Sequence, residues 1–206
     1  SLIYLNNQLT IKRKFDEVRI SEAFHQKLPL LKIVEYLLEY AILFDQKKTI
    51  IFKNCLGIYH DQDTIPYELI ANEVRLSPER VRQIRNNFLS DFTEKLDFLP
   101  QILDDQIKSL IIDNSEDYVY ISDEKASILN KYNGTKFSKP FITLILSIYL
   151  QQSHSLVGNT NDTLLTRDSK IKNRHRWQNI YLVKNSITNE FDFDELITHT
   201  LHRYEE

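Results

Sequence analysis

The chain is poor in the residues that several large classes of protein depend on. It has 3 glycines and 5 prolines in 206 residues. A backbone that approaches a phosphate closely needs glycine, and no Gly-rich phosphate loop, Gly-x-Ser-x-Gly elbow or Cys-x-x-Cys pair occurs, which argues against an enzyme or a cofactor protein. The single cysteine, Cys55, excludes an internal disulfide framework and fits a reducing cytosol. It lies in the apolar stretch Ile50–Leu56, so packing is expected of it rather than thiol chemistry. No apolar run approaches the roughly 20 residues of a membrane span. Phe141–Leu150 is short and is interrupted by Thr143 and Ser147. Nothing near the start has the form of a signal peptide, and a cytoplasmic protein is expected. Methionine is absent and the chain opens at Ser1, as a fragment, a processed chain or a cloning scar would. Basic excess is missing too, with 26 Lys and Arg against 29 Asp and Glu and a net charge of −3. DNA-binding domains usually carry a basic surplus, so any nucleic-acid footprint here is local and affinity for bulk DNA is modest.

An ordinary hydrophobic fraction of 42% remains. With few turn formers and long amphipathic stretches, it predicts a mainly α protein of one or two domains. The most informative stretch is Tyr67–Phe88. Ile70, Ala71 and Val74 share one face of a first helix, and Leu76 sits in a turn. Val81, Ile84 and Phe88 line a second helix, and the small Ala71 lets the two helices approach. Ser77 is a helix N-cap, and Pro78 falls at the first helical position, where its missing N–H costs nothing. The spacing is that of a helix-turn-helix. Opposite the apolar face, Glu79, Arg82, Gln83 and Asn86 follow i, i+3, i+4, i+7 and form a second stripe. In the major groove Arg reads guanine, Gln and Asn read adenine, and Glu accepts from cytosine. The same periodicity also fits the solvated face of a plain helical hairpin, and spacing alone leaves both open.

The run Ser77-Pro78-Glu79-Arg80-Val81-Arg82-Gln83-Ile84 resembles region 4 of the sigma-70 family, which reads the promoter −35 element. There the string is commonly Arg-Glu-Arg-(Ile/Val)-Arg-Gln-Ile after a Ser or Thr. Upstream, Lys48–Gly57 resembles the family helix that ends in a Phe/Leu-Gly pair, and Leu37–Phe44 resembles the helix that opens the domain. The likeness covers roughly residues 35–96. It implies that Glu79, Arg82 and Gln83 contact bases, with Arg80 beside them. Lys53 and the Lys47–Lys48 pair fall in the helix that, in the family, approaches phosphates and the polymerase. Two departures stand out. Pro78 replaces an Arg that the family often uses on a base, so the element read should differ. Arg75 occupies a turn position where Gly or Asp is common, at a conformational cost if its φ is positive. Nothing resembles the region that melts the −10 element, so a complete sigma factor is not implied.

Along the chain, residues 1–30 form a lead-in segment with an apolar start, Leu2–Leu5, and a basic Lys12-Arg13-Lys14. Residues 31–98 form the sigma region 4-like helix-turn-helix domain, and Pro100 breaks the chain. Residues 101–206 are expected to form a winged-helix-like α+β or helical accessory domain. It should contain a helix over Gln101–Ile112, a strand at Tyr118–Ile121 and a helix from Asp123 to Tyr132, capped by Ser122 and ended by Asn133-Gly134. A helix over Phe141–Leu150 follows, then strands at Ser155–Gly158 and Asn179–Val183, and a closing helix over Phe191–Arg203. Lys172, Arg174 and Arg176 lie in the connection between the last two strands. They are candidate phosphate contacts in a wing, or part of a plain surface loop.

His199 and His202 lie near Glu195 and Asp192, but the spacing lacks the further ligands of a zinc site, and no metal is expected. Asp104-Asp105 sits at a helix opening, where carboxylates serve the helix dipole. The expectation is sequence-specific binding of double-stranded DNA in bacterial transcription regulation. Bases would be read by Glu79, Arg82, Gln83 and Asn86. Phosphates would be held by Ser77, Arg80, Arg85, Lys53, Lys172, Arg174 and Arg176. The alternatives are an adaptor that docks RNA polymerase or another partner with little DNA contact, and a helical piece of a replication or mobile-element protein.

Overall fold

Serine caps and proline positions set where several of the helices begin, and the computed structural model shows them at work. It describes residues 28–39, 46–59, 65–102, 104–112, 116–158 and 180–190. The described residues form a mainly helical fold with a small antiparallel sheet. The first helices are α1 (Leu30–Leu37), α2 (Gln46–Leu56), α3 (Tyr67–Val74) and α4 (Pro78–Lys95). Then come α5 (Asp105–Ile111), β1 (Tyr118–Tyr120), α6 (Asp123–Asn133) and α7 (Lys139–Tyr149). The last elements are β2 (His154–Gly158), β3 (Ile180–Lys184) and the short α8 (Asn185–Glu190).

Ser77, Ser122 and Ser138 each accept a hydrogen bond from the amide three residues on, as an N-cap does. α1 has no such residue: Pro29 precedes it and offers no side-chain cap. Its first amides are instead taken by distant side chains. Leu30 N–H donates to Asp104 Oδ2 at 3.1 Å, and Leu31 N–H donates to Asn133 Oδ1 at 2.9 Å. The same Asp104 caps α5, accepting from the Ile107 amide at 2.9 Å. This is why α5 starts later than the sequence pattern suggests. Pro100 is absorbed in a 3-10 turn, Leu99–Gln101, Ile102 is extended, and the helix opens only after Asp104.

β3 is the central strand, paired antiparallel with β1 on one side and β2 on the other. Val119 stands opposite Leu182, and Leu156 opposite Leu182 on the other edge, so one sheet face is apolar and buried. The strands fall within a residue of their expected positions, whereas α8 had no sequence signal of its own. The lead-in segment, the closing helix and the connection carrying Lys172, Arg174 and Arg176 lie largely or wholly outside the described residues.

The main core takes all of these elements except α3 and α8. It joins Leu31 and Val34 of α1, Phe52 of α2, Leu89 and Phe92 of α4, Ile107 of α5, Leu129 of α6 and most of α7, and continues across Pro100. A row of rings marks the seam. Phe52 lies 5.6 Å from Phe92, Phe92 5.7 Å from Phe141, Phe141 5.0 Å from Phe137 and Phe137 5.9 Å from Tyr59, centroid to centroid. A second, smaller cluster sits apart from it: Ile51, Ile70, Ala71, Val74 and Val81. Among the described residues no helix is long and apolar enough to cross a membrane.

Candidate nucleic-acid interface

The small cluster is the inside of the α3–α4 corner. α3 stops because Arg75 enters the left-handed region, with φ 56° and ψ 54°, and its amide turns back to the Ala71 carbonyl. Leu76 N–H donates to the same carbonyl at 3.0 Å. A side chain in this conformation costs about 1 kcal/mol or more, since Cβ crowds the following carbonyl. Ser77 returns the chain to extended geometry, its hydroxyl accepts from Arg80 N–H at 3.2 Å, and Pro78 opens α4. Ile70, Ala71 and Val74 of α3 then close on Val81 of α4, with Ile51 of α2 beneath. The two helices and the turn between them fall where the spacing puts them, and Arg75 has the positive φ that carries the anticipated cost.

The first turns of α4 carry the polar stripe on their outer side. Glu79, Arg82, Gln83 and Asn86 are all exposed, while Val81 is fully buried and Ile84 and Phe88 are half-buried. The stripe is a network. Arg82 donates from Nε at 2.9 Å and from Nη2 at 2.8 Å to the two oxygens of Glu79. Gln83 Nε2 donates to Glu79 Oε1 at 3.4 Å, and Arg80 Nη1 donates to Gln83 Oε1 at 3.2 Å. Arg82 is 54% and Glu79 56% exposed, so this charge pair stays open to an incoming partner. The bond from Arg82 holds the Glu79 carboxyl below the usual carboxylate range, keeping it ionised.

The other expected contacts are placed less uniformly. Ser77 and Arg80 are exposed beside the stripe, with the serine hydroxyl already serving as a cap. Arg85 is half-buried, donates to Asn86 Oδ1 at 3.0 Å, and lies near Cys55. Burial raises the Cys55 thiol to about 11 against the opposing pull of Arg85, which suits a packing role. Lys53 belongs to a different corner. Its ammonium stands 5.6 Å above the Tyr59 ring, where α2 runs into a bridge with Phe137 and Ser138 N–H donates to the Ile58 carbonyl at 2.7 Å. Lys172, Arg174 and Arg176 fall in 159–179 and His199 and His202 in 191–206, both outside the described residues. Among the described residues no three His, Cys, Asp or Glu side chains come together as a metal site.

Sequence reasoning missed the change of sign along α4. Arg80, Arg82 and Arg85 outnumber Glu79 in its first turns, with Arg75 just before them. Asp91 and Glu94 outnumber Lys95 near its far end, with Asp97 just beyond, and the three far carboxylates are exposed. The signal was present, since the i+3/i+4 ladder from Gln83 and Asn86 runs on through Glu94 to Asp97. Added to the positive end of the helix dipole, the arginines make the first half of α4 attractive to anions and the second half repellent.

A second corner, α6–α7, resembles the first in its local signals. Gly134 takes the left-handed turn with φ 62°, and Ser138 caps α7 with Pro140 in the first turn. Its second helix has no polar stripe. Phe141, Ile142, Thr143, Leu144, Ile145 and Leu146 are all buried. Comparison with known proteins gives no match to a family model, to a curated protein or to a solved structure.

Proposed function

We propose that this chain is a sequence-specific double-stranded DNA-binding protein of bacterial transcription, acting without catalysis or cofactor, and that its α3–α4 corner is a helix-turn-helix like that of sigma region 4. One observation carries the reading. The first half of α4 lifts Arg82, Gln83 and Asn86 clear of the core on a corner fixed by Arg75 and Ser77. These are side chains that pair with base edges in a major groove. Arg80, Ser77 and Arg85 flank the stripe as phosphate contacts, and Lys53 with Lys172, Arg174 and Arg176 would extend the footprint. The acidic end of α4 limits contact to its first turns, so the helix would enter the groove by its N-terminal end.

The order α5-β1-α6-α7-β2-β3, with β3 between β1 and β2, supports a winged-helix-like reading of the second half. In that reading α7 has the place of a recognition helix, but its burial suits a brace for α4 rather than a reader. A second reading, an adaptor that docks RNA polymerase, is favoured by a groove between α5 and α6. Leu110 and Ile128 stand 36% and 45% exposed there, next to Lys125.

The deciding experiment is selection of bound sequences from a random duplex pool at near-physiological salt, with Arg82→Ala/Gln83→Ala as control. A shared motif that the control loses is expected. Weak, motif-free binding by both proteins would sink the DNA reading and turn attention to polymerase capture.

A further inference from the structure

We infer that Glu79 positions Arg82 and Gln83 for reading and is not itself a base reader. The inference rests on the DNA reading above. An ionised carboxylate has about four lone-pair sites, so one that already accepts three hydrogen bonds keeps a single site for a cytosine. Both Glu79 oxygens are engaged from within the helix, Oε2 by Arg82 Nε and Oε1 by Arg82 Nη2 and Gln83 Nε2. The choice of atoms on Arg82 matters more than the pairing. A guanidinium has two forks of parallel donors, one made by Nε and Nη2 and the other by Nη1 and Nη2. Glu79 takes the first fork. That fixes the plane of the group and leaves the terminal fork directed away from the carboxylate. The terminal fork has the geometry that grips guanine O6 and N7.

Gln83 is held in a similar way. One amide N–H goes to Glu79, and its carbonyl accepts from Arg80. A second N–H and a second lone pair remain, the pair that adenine N7 and N6 require. A long exposed side chain ordinarily loses rotamer freedom on binding, and an arginine already tethered by two bonds loses less. Glu79 therefore acts through its neighbours, and the base pair lost on removing it is the one that Arg82 reads.

The test repeats the duplex selection with the full chain as wild type, Glu79→Ala, Glu79→Gln, Arg82→Ala and Glu79→Ala/Arg82→Ala. Side-chain NMR of the Arg82 Nε–H is recorded in the free protein. Arg82→Ala should erase a guanine preference of up to roughly a hundredfold at one position. Glu79→Ala should weaken the same position by about tenfold. Glu79→Gln should restore part of it, and the double variant should be no worse than Arg82→Ala. The Arg82 Nε–H resonance should shift and exchange faster with water in Glu79→Ala. Relaxation of a separate position by Glu79→Ala, or an unchanged Nε–H signal, overturns the inference and leaves the DNA reading standing. A wild-type protein that selects no motif overturns both.

Discussion

The two corners begin from similar local instructions and end differently. Each has a left-handed residue that stops one helix, a serine that caps the next, and a proline in that helix's first turn. The α3–α4 corner stands on a small cluster and exposes its second helix for several turns. The α6–α7 corner is sunk in the main core, and its second helix is buried along nearly all its length. Capping and turn residues therefore decide where a helix starts. Whether it reads or braces is decided by what lies opposite its apolar stripe: arginine, glutamine and asparagine in α4, more isoleucine, leucine and phenylalanine in α7. The turns differ as well. Asn130 ties the α6–α7 turn together, donating to the Phe137 carbonyl at 2.7 Å and accepting from Phe137 N–H at 2.9 Å and Thr135 Oγ1 at 2.8 Å. The α3–α4 turn rests on backbone bonds and one serine, and it places an arginine where the other corner has glycine.

The largest expected effect comes from breaking the brace. Phe141 is fully buried between Phe92 and Phe137, and Phe141→Ala should cost about 3–5 kcal/mol in urea unfolding followed by circular dichroism. Arg82→Ala, by contrast, should leave the midpoint where it is. If the two variants unfolded alike, the division into brace and reader would be wrong.

A smaller effect sharpens the contrast between the turns. Asn130→Ala leaves the Phe137 amide without its acceptor and should cost about 2 kcal/mol, together with faster hydrogen exchange at that amide. The smallest effect is reciprocal. Arg75→Gly relieves a left-handed side chain and should stabilise by about 0.5–1 kcal/mol, net of the extra freedom of glycine in the unfolded chain. Gly134→Ala should lose about 1 kcal/mol. A Cβ there meets no atom within 4 Å, so the penalty is one of backbone conformation alone. Equal signs in thermal melts of the two variants would remove the conformational argument at both turns.

What could be read ahead of the structure was local. The Ser77 and Ser122 hydroxyls bond within a turn of themselves, so their capping roles follow from spacing, whereas Asn133 accepts from Leu31, 102 residues away. The polar stripe of α4 follows from helical periodicity, but its internal pairing does not, because Glu79 can reach Arg82 or Gln83 with similar ease. The burial of α7 has its signal in the missing polar stripe of Phe141–Leu150. Asn130 gave none, since a half-buried asparagine becomes a turn's anchor only once the chain has closed around it. The start of α5 was misplaced because Pro100 reads as a break, while the chain spends several further residues reaching Asp104.

The borrowed caps of α1 have a consequence for the order in which the protein can be made. Leu30 and Leu31 take their acceptors from residues 74 and 102 positions later. A ribosome adding about 5–20 residues per second delivers those acceptors roughly 4–20 seconds after the helix they complete. In that interval α1 is an apolar segment with an unfinished end, its core partners on α2 and α4 arriving before its caps. The N-terminal helix of the described fold is among the first synthesised, yet its first turn is completed only when Asn133 has been added.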